Sequence, residues 1–150
     1  MLKQQFRDEL TKSMLARDTE KTAIIRLILS ALKYYEIQKG GAGYEATDED
    51  VIAVIQKEVK QRKDSIEQFS AAGRQDLVDK EQKELERLQA YLPAEMPEEE
   101  VRTLVAEAIA QTGASSLQDI GKVMGALMPK TKGKADGSLV SKIVKEELSK

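Results

Sequence analysis

Lys130, Lys132 and Lys134 fall within five residues, in the run PKTKGKADG from Pro129 to Gly137. Three ammonium groups on one connection form a candidate anion site. Lysine offers a mobile point charge that suits phosphate oxygens and carries little base specificity, so such a site selects by shape. Gly133 among them gives backbone freedom, and Asp136 is placed to cap the next helix by accepting its first free N–H groups. Covalent chemistry has fewer candidates. The chain has no Cys and no His, which removes thiol nucleophiles, thiolate metal sites, imidazole bases and imidazole ligands.

The remaining polar groups read as scaffold. Gly113, Ala114, Ser115 and Ser116 faintly resemble the serine-rich loop of amidases, yet an acyl-transfer serine needs a base and oxyanion donors, and none accompany it. Ser116 with Asp119 reads as a helix cap instead. The basic stretch Lys57, Lys60, Arg62 and Lys63 is interleaved with Glu58 and Asp64, the pattern of a salt-bridged helix face. Carboxylates elsewhere lie on periodic polar faces with no pair set apart as acid and base. No catalytic residue, metal site or cofactor is expected.

The elements that must position the lysines are helices. Gly121 and Gly125 stand four apart on one face, with Met124, Leu127 and Met128 as flanking apolar bulk, so the spacing predicts a short helix closely packed against another at the glycines. Pro129 is expected to stop that helix, because it lacks a backbone donor and clashes with the preceding turn. Leu139, Val140, Ile143, Val144 and Leu148 then repeat as the stripe of a last helix. Upstream, Pro97 suits a first helical position, and Glu98, Glu99 and Glu100 sit where the helix dipole favours carboxylates. Val101, Leu104, Val105, Ala108 and Ile109 form the buried stripe, with Gly113 as left-handed terminator.

The first part of the chain is periodic too. Leu2, Phe6, Leu10 and Met14 mark one helix; Asp18 or Thr19 caps a second carrying Ile24, Leu27, Ile28, Leu32 and Tyr35. Gly40, Gly41 and Gly43 predict a mobile loop. Thr47 with Asp50 resembles a capping box for a helix through Val51, Val54, Ile55, Val59 and Ile66, which Gly73 breaks. A fourth helix carries Leu77, Leu85, Leu88 and Leu92 and stops before Pro93. The expected fold is all-α: about four helices in residues 1–92, a linker at 93–97 in PAEMP, and three helices in 98–150.

The segment from Gly121 to Val140 resembles the tail domain of the GatB/YqeY family, whose pattern is G-K-x-M-G-x-x-M-x-x-x-K-G-x-A-D-G-x-x-V. Gly121, Lys122, Met124, Gly125, Met128, Lys132, Gly133, Ala135, Asp136, Gly137 and Val140 supply it. KQRKDSIEQFSAAGRQDLVDKE from Lys60 to Glu81 and Tyr91-Leu92-Pro93 are similar to stand-alone YqeY proteins. The resemblance thus covers nearly the whole chain. It implies a three-helix tail, also found in the B subunit of tRNA-dependent amidotransferases, where it helps to hold the tRNA body. Taken with the basic turn, it makes Lys122, Lys130, Lys132, Lys134 and Lys142 the expected tRNA contacts.

Composition limits the partners. At 150 residues, 41% hydrophobic and one third charged, the chain can bury a core, and 4% aromatic content with no Trp makes that core aliphatic. No window approaches the roughly 18 apolar residues of a membrane span, and the amino terminus lacks a cleavable apolar signal, so no membrane partner and a cytoplasmic location are expected. Net charge is −2, but residues 93–120 carry −5 and residues 121–150 carry +4. That polarity orients a protein toward a polyanion. The pI near 5.4 argues against tight non-specific nucleic-acid binding, so the expected partner is tRNA, weakly bound, and not DNA. Alternatives are an accessory component of an amidotransferase, a carbon–nitrogen ligase using glutamine as amido donor, and a protein adaptor that joins a tRNA-modifying or aminoacylation-related protein. The chain lacks a G-x-x-x-x-G-K-[ST] loop, so activity alone is not expected.

Overall fold

A computed structural model describes residues 1–150. It contains seven α-helices, two short 3-10 turns and no strand, so the fold is all-α. The chain divides into two compact units, Met1–Leu92 and Pro93–Lys150, each with its own apolar core.

In the first unit, α1 spans Leu2–Leu15, α2 Thr19–Gly40, α3 Asp48–Ala71 and α4 Gln75–Gln89. Asp18 caps α2 by accepting from the Lys21 N–H, and Thr47 with Asp50 forms a full capping box on α3. Phe6, Ile25, Ile28, Leu32, Val51, Ile55 and Leu88 are the centre of the core. Met14, expected in the α1 stripe, is 51% exposed, and Ser13 is buried in its place with its hydroxyl 2.9 Å from that of Thr22. Two helical turns after Phe6 bring position 13, not 14, back to the same face.

Of the three glycines expected to form a loop, Gly40 is the last residue of α2, and Gly41–Gly43 make a 3-10 turn, entered through Gly41 at φ 72. Further on, no residue from Lys60 to Glu84 is fully buried, although α3 and α4 pair there through half-buried Ile66, Phe69, Leu77 and Val78. This stretch is a helical hairpin that reverses at Gly73, φ +70, and carries little core of its own.

In the second unit, α5 spans Glu98–Thr112, α6 Ile120–Thr131 and α7 Gly137–Leu148, and each packs on the other two. Val101, Val105, Val123, Leu127, Val140, Ile143 and Val144 fill the centre. Gly113 closes α5 in the left-handed region, φ 67. The close packing expected at Gly121 and Gly125 is absent: both are exposed, and a Cβ at either would meet nothing within 4 Å. Val123 and Leu127 face the core, and Met128 is 52% exposed. Nor does Pro129 stop α6. The helix continues to Thr131, because a proline in the last turn forfeits one backbone bond while Lys132 N still donates to Met128 O over 3.0 Å.

Candidate nucleic-acid interface

The frame of the lysine turn is main chain. Thr131 is buried and donates its hydroxyl to Leu127 O over 3.1 Å. Its own carbonyl accepts from the N–H groups of Lys134 and Ala135, both at 3.0 Å. Gly133, φ +77, makes the reversal without side-chain strain. Lys134 O accepts from Met96 N over 2.7 Å, which pins the turn to the segment before α5. Asp136 then accepts from Ser138 N over 3.1 Å and starts α7.

On this frame the side chains of Lys130, Lys132 and Lys134 are all exposed. The peptide geometry is fixed beneath exposed, charged side chains, an arrangement suited to phosphate oxygens. Lys122 is placed differently. It lies in the first turn of α6, about 12 Å along the axis from Lys130, and faces the Asp119 carboxylate at 3.9 Å. Hydrogen bonds from the Ser115 N–H and then the Ser116 N–H hold the Asp119 carboxyl below its ordinary range, so Lys122 shares its charge with a fixed anion. Lys142 stands on the outer face of α7 in a shallow, open depression also lined by Ser138, Ser141, Lys145, Glu146 and Ser149.

Arg102 sets the electrostatics beside that depression. Its guanidinium meets Glu98 at 2.8 Å, Glu146 at 3.1 Å and Glu147 at 3.6 Å. These carboxylates, Glu98 first and then Glu146, raise its pKa further above its ordinary value. The acidic members of α7 are thereby drawn toward α5. In the first unit, the basic stretch on α3 is partly neutralised as its spacing implied: Arg62 pairs with Glu58 at 2.5 Å and approaches Glu84 at 3.4 Å.

A polar cluster in the first unit was not legible as such. The Asp50 carboxylate accepts from Tyr35 at 2.7 Å and Lys39 at 2.9 Å on one oxygen, and from Tyr44 at 2.6 Å and the Thr47 N–H at 3.0 Å on the other. The Tyr44 hydroxyl is the largest influence holding Asp50 far below the usual carboxylate range, and the Tyr35 hydroxyl likewise holds Lys39 far above the usual amine range. Close by, Glu36 is buried and accepts from Lys3 at 2.6 Å and the Ala46 N–H at 2.8 Å. Burial would raise Glu36, but these donors bring it below its ordinary value. The bonds tie α1, the end of α2 and the start of α3 together, so the cluster is a clamp. The i, i+4 spacing of Tyr35 and Lys39 was a visible signal, but Asp50 joins them only through the tertiary fold.

No helix is long and apolar enough to cross a membrane. Comparison with known proteins places these features in a family. The profile described as Yqey-like protein matches residues 3–148. A Pyrenophora tritici-repentis protein named Altered inheritance of mitochondria protein 41, mitochondrial, is 40% identical over 104 residues, covering 67% of this chain and 56% of that protein. The Saccharomyces cerevisiae protein of the same name is 39% identical over 87 residues, covering 58% and 46%. An uncharacterized Schizosaccharomyces pombe protein is 34% identical over 88 residues, covering 59% and 69%. The chain spans about half the length of the mitochondrial relatives. With nearly its full length matched, the chain belongs to the Yqey-like protein family.

Proposed function

We propose that this protein is a non-catalytic RNA-binding module that holds the phosphate backbone of a folded tRNA through the turn between α6 and α7. The observation that carries the reading is the presentation of Lys130, Lys132 and Lys134 together, exposed, on a main chain pinned by Thr131 and Met96. Lys142 extends the contact along α7, and Lys122 contributes from the far end of α6 with a charge reduced by Asp119. Affinity is modest because the whole chain carries net charge −2. The relatives named for mitochondria leave the tRNA reading unaltered, and for this chain we place the encounter in the cytoplasm. Action as an accessory component of an amidotransferase is compatible with the same contact, with this chain supplying tRNA binding and no chemistry.

Filter binding of the full chain to tRNA at two salt concentrations tests this. Replacing Lys130, Lys132 and Lys134 with Ala should weaken binding and flatten the log–log salt slope by about 0.7 to 0.9 per lost contact, with an unchanged circular dichroism spectrum. Identical slopes for both proteins remove the turn from the argument. A second reading, a protein adaptor, rests on exposed Tyr34 and Ile37 along α2, 62% and 53% accessible. It takes precedence if wild-type protein binds no tRNA at low salt and a protein co-purifies instead.

A further inference from the structure

The outer face of α7 presents Ser138, Ser141, Lys142, Lys145 and Ser149 along one shallow depression. Their spacing of three to four residues keeps them on one side over about 17 Å of helix. No aromatic side chain lines it, so it has no platform for stacking an unpaired base. It is also open, which fits a broad, shallow surface and not an extruded nucleotide.

The hydroxyls of this face bear on what it can meet. Several helical threonine hydroxyls are consumed by the backbone one turn earlier: Thr11 donates to Arg7 O, Thr103 to Glu99 O, Thr112 to Ala108 O and Thr131 to Leu127 O. Ser149, at the end of the depression, donates to Lys145 O over 2.6 Å. The hydroxyls of Ser138 and Ser141 have no such bond, and both remain at the surface beside Lys142 and Lys145. The one carboxylate in the lining, Glu146, is held at 3.1 Å by Arg102, which lessens its opposition to an incoming anion. The turn with Lys130 and Lys134 leads directly into Gly137, the first residue of the depression.

We infer that the α7 face is a backbone track for double-helical RNA, in which Lys142 and Lys145 meet phosphates while Ser138 and Ser141 meet ribose 2′-hydroxyls. The inference rests on the proposed tRNA contact and adds what part of the molecule is read. A-form RNA presents its 2′-hydroxyls in a wide, shallow minor groove, and those hydroxyls are what a protein uses to tell RNA from DNA. Paired hydroxyl and ammonium groups on a flat helix face match that surface, and the lysines alone would not discriminate.

Fluorescence anisotropy with the full chain and two labelled duplexes of one sequence, RNA and DNA, tests it. Wild type should prefer RNA. Lys142→Ala with Lys145→Ala should weaken both duplexes by about tenfold at low salt and reduce the salt slope. Ser138→Ala with Ser141→Ala should leave DNA binding in place and erase the RNA preference. Equal wild-type affinity for RNA and DNA overturns the inference, as does inorganic polyphosphate competing as well per phosphate as duplex RNA. Unchanged RNA affinity in the lysine double variant also overturns it. If the Lys130/Lys132/Lys134 variant still loses tRNA in that case, the proposed function stands without the track. Failure of wild type to bind any RNA removes both.

Discussion

Gly40 lies so close to Tyr44 that a Cβ on the glycine would sit 2.8 Å from the tyrosine Cβ. The contact sets the position from which Tyr44 donates to Asp50 at 2.6 Å, so a missing side chain helps aim a hydroxyl at a buried carboxylate. Gly40→Ala should therefore lower stability by about 1 to 3 kcal/mol through overpacking. Chemical denaturation of the two proteins measures it, and an unchanged midpoint would show that Tyr44 moves aside freely.

Acid sensitivity follows from the same cluster. Asp50 and Glu36 both have folded-state pKa values below their ordinary ones. As pH falls through the ordinary carboxylate range, near 4, the unfolded chain takes up protons that the folded chain refuses. Stability from these groups is thus present above that range and declines as pH drops through and below it. Tyr44→Phe should shrink the decline by raising the pKa of Asp50 toward normal. Thermal melts between pH 3 and 6, a window of about three units set by those carboxylates, should show a shallower slope for the variant; equal slopes would separate Tyr44 from the effect.

Gly125→Ala should stabilise the protein by about 0.5 to 1 kcal/mol, since alanine is the better helix former and nothing stands within 4 Å of the added carbon. A rise in melting temperature is the expected readout. A fall would mean that the exposed face of α6 is covered in solution.

Arg62→Ala should open the α3–α4 hairpin locally, by about 1 to 3 kcal/mol, because Glu58 and Glu84 lose a shared, mostly buried partner. Hydrogen exchange should show the loss at Ile66 to Val78 before Ile25 to Leu32, whose side chains centre the core. Uniform acceleration across the unit would contradict the local picture.

Helix order, the caps at Asp18, Thr47 and Asp136, and the terminators Gly73 and Gly113 were readable because each depends on neighbours within a turn or two of sequence. Gly121 and Gly125 were misread because their spacing defines a face and says nothing of what lies opposite. Pro129 was misread because its cost depends on how near it is to the helix end. At the candidate site, the exposed lysines were visible from composition and turn chemistry. The serine hydroxyls and the Arg102–Glu146 pair were not, since they require knowing that α5 and α7 are neighbours and which hydroxyls the backbone leaves unused.

The lysine turn separates two properties that many binding sites merge. Thr131, Gly133 and the Met96 bond determine where the loop stands, and none of them carries the charge. The charge is carried instead by exposed lysines. On the proposed function, substitution among them would change the strength and timing of encounters with RNA, and descendants of this chain would retune their partners on an inherited scaffold.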